Sequence, residues 1–205
     1  MDSLVAQIKS LSPCDFADAL SIEQFVDPAI QSLWLPTPKL VGRAFTVFCP
    51  PGDHLMFHAA IYEAQPGDVI VAQGDPKFAL AGGNVCAIAQ QNGIAGCVID
   101  GRVRDLAEIR EMQFPVFARG VIPKPGAKKQ LGTLRGPIVC GGVTVVQGDY
   151  IIADEEGIAV IPQNTVEQAL EKATARAQKD ASTPIEQWRE QHIATVKTAL
   201  EKLGY

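Results

Sequence analysis

The chain has 205 residues, of which 47% are hydrophobic and 20% charged, with five cysteines. That is enough apolar material for a buried core, so disorder and dependence on a structural metal or disulfide are excluded as expectations. Eighteen Lys plus Arg against 23 Asp plus Glu leave a formal charge of −5, the wrong sign for gripping nucleic-acid phosphates.

Short apolar runs alternate with amphipathic ones from residue 40 onward. LVGRAFTVFC at 40–49 reads as a strand, HLMFHAAIYEA at 54–64 as a helix and GDVIVAQG at 67–74 as a strand. ALAGGNVCAIAQQNG at 79–93 has helical length, GIAGCVIDG at 93–101 is a buried strand, and RDLAEIREM at 104–112 is a second amphipathic helix. Strands follow at PVFARG (115–120), GGVTVVQGD (141–149) and YIIADEEGIAVIP (150–162). The centre is β-α-β-α-β and the rest meanders, which predicts a mixed α/β domain rather than a doubly wound sheet.

Near residue 162 the Gly and Pro punctuation gives way to a stretch rich in Ala, Glu, Lys and Gln. It reads as two helices, the first capped by Asn164 and the second restarted at Ser182-Thr183-Pro184. The expected organisation is one α/β domain over 1–162 with a helical extension, 163–205, packed on it. No run approaches the roughly 20 apolar residues of a membrane span. The opening MDSLVAQIKSLSPCD lacks a basic segment followed by an apolar one, so the expected location is the cytoplasm, with no membrane contact.

Cys14, Cys49, Cys86, Cys97 and Cys140 form no CxxC pair and sit mostly in apolar surroundings, as buried free thiols do. His54, His58 and His192 offer no motif that pairs them with a particular thiol, so a Cys–His nucleophile is not favoured.

The chemistry concentrates in FALAGGNVCAIAQQNGIAGCVIDGRVRDLAEIREM, residues 78–112. A buried strand ending at Asp100-Gly101 opens into a loop where α/β sheets collect ligands. Two helix starts face that exit. At Gly82-Gly83-Asn84-Val85 the first-turn N–H groups can hold an anion without a side chain. At the other, Arg104 offers a planar fork for a carboxylate. Asp105 and Glu108, three apart, can converge on one hard cation, which favours Mg²⁺ or Mn²⁺ over Zn²⁺. The same residues also suit a purely structural role, because first-turn acids please the helix dipole and Arg104 can pair with Glu108 at i,i+4. On spacing alone the structural role comes first.

With GDVIVAQG before it and VTVVQGDYIIADEEGIAVIP after it, this stretch resembles the RraA-like family, which holds regulators of ribonuclease E activity and class II 4-hydroxy-4-methyl-2-oxoglutarate aldolases. The likeness runs from about Ala17-Asp18-Ala19-Leu20 to Pro162. Its sharpest element is Gly83, twenty intervening residues, then Arg104, Asp105 and, after two more, Glu108.

The resemblance implies a swivelling β/β/α domain with C-terminal helices, assembled as a homotrimer or dimer of trimers with sites between subunits. It implies that the Gly82, Gly83, Asn84 and Val85 segment and Arg104 bind the pyruvyl end of a small 2-oxo acid, and that Asp105 is the direct ligand of Mg²⁺ or Mn²⁺, supported by Glu108. It further implies retro-aldol cleavage of 4-hydroxy-4-methyl-2-oxoglutarate to two pyruvates, with oxaloacetate decarboxylation through the same enolate. No Schiff-base lysine is required, and Lys77 and Lys124 lie in Pro-containing loops. The base for the C4 hydroxyl proton falls to water on the metal, while Asp100, Arg102 and Asp154 are secondary candidates better suited to loop roles. The alternative is a noncatalytic protein that binds a ribonuclease. Methyl transfer to a quinone is discounted, because the chain lacks a G-x-G-x-x-G nucleotide loop.

Overall fold

Residues 3–205 are described by a computed structural model, and its elements follow the apolar runs. Helix α1 (Ser3–Lys9) and two 3-10 turns, Pro13–Phe16 and Ile22–Gln24, precede the two-residue strand β1 (Gln31–Ser32). The central series is β2 (Leu40–Phe48), α2 (Leu55–Glu63), β3 (Val69–Gln73), β4 (Ala79–Ala81), α3 (Gly83–Gln91), β5 (Gly96–Asp100), β6 (Arg102–Val103), α4 (Leu106–Glu111) and β7 (Val116–Ala118). Then come β8 (Thr133–Leu134), β9 (Ile138–Cys140), β10 (Val143–Val145), β11 (Tyr150–Asp154), β12 (Gly157–Ile161), α5 (Val166–Ser182) and α6 (Ile185–Leu203).

The main sheet runs β1-β7-β5-β3-β2-β11-β12, with β8 also paired to β2. Strands β2, β3, β5 and β7 are mutually parallel, each joined to the next through a helix. They are buried on both faces, which is why they read as nearly continuous apolar runs. β2 is the hinge of the architecture: it pairs in parallel with β3 (Ala44 opposite Val69) and antiparallel with β11 (Arg43 opposite Tyr150). The expected mixed α/β domain with C-terminal helices is the observed one.

Three apolar clusters follow from this layering. One lies between the sheet and α2, α3 and α4, around Phe45, Phe57, Cys86 and Ile109. A second fills the opposite face beneath the β9–β10 hairpin. The third seats α1 and α5 against β11 and β12.

Several segments differ from what the sequence predicts. The run at 79–93 splits, because Ala79–Ala81 pairs with β6 as a strand and the helix begins only at Gly83. The run at 150–162 is a hairpin, turned where Asp154 accepts the Glu156 N–H at 2.9 Å. Helix α5 starts one residue later than the Asn164 cap implies, with Thr165 at its cap. It buries Val166, Ala169, Leu170 and Ala173, a stripe at i, i+3, i+4 and i+7. In contrast, α6 buries none of its residues, so only the first helix of the extension packs on the domain. Among the described residues no helix is long and apolar enough to cross a membrane.

Candidate active site

The pairing of β4 with β6 explains the glycine-to-arginine spacing. After β4 the chain forms α3, crosses the sheet as β5 and returns as β6 beside β4, with Ala81 opposite Val103. The Arg104 N–H then donates to the Ala81 carbonyl at 3.0 Å. Gly82-Gly83 and Arg104-Asp105 are therefore neighbours in space because a helix and a strand fit between them in sequence. They lie just beyond the carboxyl ends of β3 and β5, where open α/β sheets bind ligands.

The approach is close enough that any side chain on either glycine would displace the residues facing it. A Cβ on Gly82 would stand 2.5 Å from Asp105 Oδ2 and 2.9 Å from Arg104 Cγ, and one on Gly83 would stand 1.8 Å from Glu108 Oε2. Both carboxylates thus rest against the same glycine pair. Asp105 Oδ2 accepts the Gly83 N–H at 3.1 Å and lies 3.3 Å from Arg104 Nε. The first intrahelical bond of α3 is Cys86 N–H to the Gly82 carbonyl. The amides of Asn84 and Val85 precede it and remain for an anion, whereas that of Gly83 is already engaged.

Asp105 sits at the cap of α4 rather than in its first turn, with φ 57° and ψ 40°. This left-handed conformation is uncommon for a residue with a side chain and marks a position held by its surroundings. Its convergence with Glu108 comes from the shared glycine pair, not from a common helix face. The i,i+4 pair open to Arg104 does not form either: Arg104 pairs with Asp105 and makes no ion pair with Glu108.

These residues open into a cleft of about 440 Å³ lined by Gly82, Asn84, Val85, Arg104 and Asp105, with Pro125, Gly126 and Lys128 across from them. Gly83 and Glu108 are not part of the lining and stand behind it. The cleft has two further residues that the sequence reading left aside, His54 and His58. Their only sequence signal was a four-residue spacing on a helix that otherwise looked like core.

Asp53 braces the side of the cleft that carries His54 and Lys128. Its buried carboxylate accepts the N–H groups of Leu55, Lys129 and Gln130 at 2.8, 2.6 and 3.1 Å, tying the start of α2 to the loop that carries Lys128. Burial alone would push this carboxyl up, but the three backbone donors win and hold it below the usual range. A lowered folded value makes its stabilisation complete above about pH 4 and lost as pH falls through that value. Asp53→Ala is expected to lower the free energy of urea unfolding by about 3 kcal/mol, since three partly buried backbone donors lose a charged acceptor. A loss under about 1 kcal/mol would show that the loop is held by other contacts.

The secondary candidates stand elsewhere. Asp100 is committed to Arg119 and to the Gly141 N–H at 2.7 Å, Arg102 donates to the Val121 carbonyl, and Asp154 caps its hairpin. Lys77 and Lys124 are exposed. Four of the cysteines are buried, and all five are free; burial pushes the Cys86 thiol, behind the cleft, up to about 12, so it offers no thiolate.

A family model described as RraA-like, Aldolase/RraA, matches residues 13–160. A Halalkalibacterium halodurans protein provisionally named a 4-hydroxy-4-methyl-2-oxoglutarate aldolase is 35% identical over 97% of this chain and 94% of its own length. A Thermus thermophilus protein named 4-hydroxy-4-methyl-2-oxoglutarate aldolase is 34% identical over 54% of this chain and 69% of its own. Among solved structures, Streptomyces coelicolor RraAS2, titled an unusual member of the RNase ES inhibitor RraA protein family, shares the fold with a TM-score of 0.78. It is 27% identical, over 88% of this chain and 95% of that one.

Proposed function

The chain belongs to the RraA-like family, and we propose that this member is a carbon–carbon lyase that cleaves 4-hydroxy-4-methyl-2-oxoglutarate to two pyruvates and decarboxylates oxaloacetate. The observation that carries the reading is the Arg104–Asp105 pair locked against Gly82-Gly83 at the mouth of the cleft. A structural ion pair has no need of a left-handed aspartate at the edge of a cavity with unspent helix amides beside it.

The donor set fits Mg²⁺ or Mn²⁺. Two carboxylates rest on one glycine pair, and such hard ions take one or two protein carboxylates and complete their shell with water and substrate oxygens. Among the described residues no group of three or more His, Cys, Asp and Glu assembles, unlike the closed cage that structural zinc takes. Asp105 would hold the ion, with Glu108 behind it. When bound, the cation supplies Lewis-acid stabilisation of the negative charge that develops on the 2-oxo oxygen.

The protein's own residues do the rest. Arg104 and the Asn84 and Val85 amides hold the pyruvyl carboxylate, and Lys128 across the cleft meets the distal carboxylate of a dianionic substrate. The positive potential is local, on a chain whose net charge is −5. The expected assembly is a homotrimer or dimer of trimers, supported by the apolar face of α6, where Ile185, Trp188 and Ile193 are 69%, 49% and 56% exposed.

The test is a coupled pyruvate-release assay on both substrates. Turnover with Mg²⁺ or Mn²⁺ that stops on adding EDTA is expected. A purified protein that releases no pyruvate with either ion, yet captures a ribonuclease in a pulldown, would replace this reading with the inhibitor role named for its structural relative.

A further inference from the structure

His54 and His58 take no part in the reading above, yet both rings line the cleft that Arg104 and Asp105 enter. His54 caps α2 and His58 follows one turn later, placing the ring centroids 4.4 Å apart with planes inclined at 44°. His54 is buried, and its Nδ1 lies 3.3 Å from the Ala79 carbonyl oxygen. A carbonyl only accepts, so this contact puts the ring proton on Nδ1 and leaves Nε2 as a lone pair.

The surroundings of both rings disfavour the protonated form, for His58 without an opposing charge. Burial is the largest influence on His58, and His54, Lys128 and Arg104 add to it, pushing the ring down to about 4. Burial also lowers His54; the Ala79 carbonyl and Asp53 oppose, while Lys128 and Arg104 reinforce. Both rings are therefore neutral at pH 7 and can accept a proton, whereas a cationic histidine could only help to bind an anion.

We propose that His58, oriented by His54, is the general base that takes the C4 hydroxyl proton of the 4-hydroxy-2-oxo acid. This rests on the aldolase reading and moves the role from metal-bound water to a side chain. A His58 ring nitrogen takes the hydroxyl proton, and the O–H electron pair becomes the new C4 carbonyl. The C3–C4 bond breaks, its electrons form the C2–C3 double bond, and the C2 oxygen takes the negative charge of a pyruvate enolate. The C4 fragment leaves as the other pyruvate, the enolate takes a proton at C3 from water, and His58 returns its own to solvent. Atoms and charges balance without a co-reactant. A dianionic substrate between Arg104 and Lys128 also offsets the two cations that disfavour His58 protonation, strengthening the base once the substrate is bound. His54 acts through His58 and is a positioning residue.

Oxaloacetate decarboxylation separates this role from binding, because it forms the same enolate without a hydroxyl proton to remove. His58→Gln is expected to lower cleavage of 4-hydroxy-4-methyl-2-oxoglutarate by about 10²-fold or more while oxaloacetate decarboxylation stays within about threefold. His54→Asn is expected to cost about tenfold in cleavage and to move the acid limb of its pH profile. In the wild type, the His58 ring signal followed by NMR should titrate near 4 and shift upward when oxalate, a mimic of the enolate, is added. Equal loss of both activities in His58→Gln, or unimpaired cleavage, overturns the proposal, as does a His58 titration that oxalate leaves unmoved. A wild type that releases no pyruvate from either substrate instead removes the aldolase reading, and the base with it.

Discussion

Replacing Asp105 by asparagine is expected to lower pyruvate release from 4-hydroxy-4-methyl-2-oxoglutarate by at least about 10²-fold, with a melting temperature close to that of the wild type. The choice of asparagine follows from the backbone. At φ 57° and ψ 40° asparagine is tolerated, whereas alanine adds about 1–2 kcal/mol of left-handed strain and confuses stability with chemistry. Asparagine also keeps an oxygen for the Gly83 N–H, now 3.1 Å from Asp105 Oδ2. What it removes is the negative charge that pairs with Arg104 and would hold the cation. A variant with half the wild-type kcat/KM at saturating Mg²⁺ would rule out Asp105 as the metal ligand.

The second large effect concerns a residue with no functional group. In Gly83→Ala the new methyl would stand 1.8 Å from Glu108 Oε2 and 2.8 Å from Glu108 Cδ. The Glu108 side chain is the flexible partner, so it swings away and the fold survives. Gly83 opens α3 without a positive φ, so alanine even gains up to about 1 kcal/mol of helix propensity. Activity and stability should therefore part company: cleavage falls about 10- to 100-fold while the thermal midpoint holds or rises. Because the damage is displacement of Glu108, Gly83→Ala combined with Glu108→Ala should cost little more than either change alone. Additive losses in that double-mutant cycle would show that Gly83 acts through something other than Glu108.

The parts of the fold that were legible are those that the chain writes locally. The runs that become β2, β3 and β5 are nearly continuous apolar stretches bounded by Gly and Pro, the pattern that a strand buried on both faces leaves. Elements whose reason is a distant partner were not legible. Ala79–Ala81 looks helical beside the stretch that follows it, and only pairing with Arg102–Val103 makes it a strand. Gln31–Ser32 and Thr133–Leu134 are strands only because β7 and β2 lie beside them. At the site, the spacing among Gly83, Arg104, Asp105 and Glu108 picked out residues that the fold brings together, but it implied the wrong geometry for two of them. Asp105 precedes α4, and its convergence with Glu108 runs through the glycines. His54 and His58 carried no usable signal, since a helix needs buried side chains at the same spacing that brings two rings into a cleft.

The double pairing of β2 also fixes an order of events during synthesis. Its parallel partner β3 leaves the ribosome soon after it, but Arg43 meets Tyr150 only after 107 further positions have been made. At about 5–20 residues per second, the Leu40–Arg43 edge waits roughly 5–20 s for its antiparallel neighbour. Throughout that interval the nascent chain presents an open, apolar strand edge, the surface on which neighbouring chains on a polysome can pair. Expression yield should therefore respond to translation speed between residues 118 and 150 more than to speed anywhere in the helical tail.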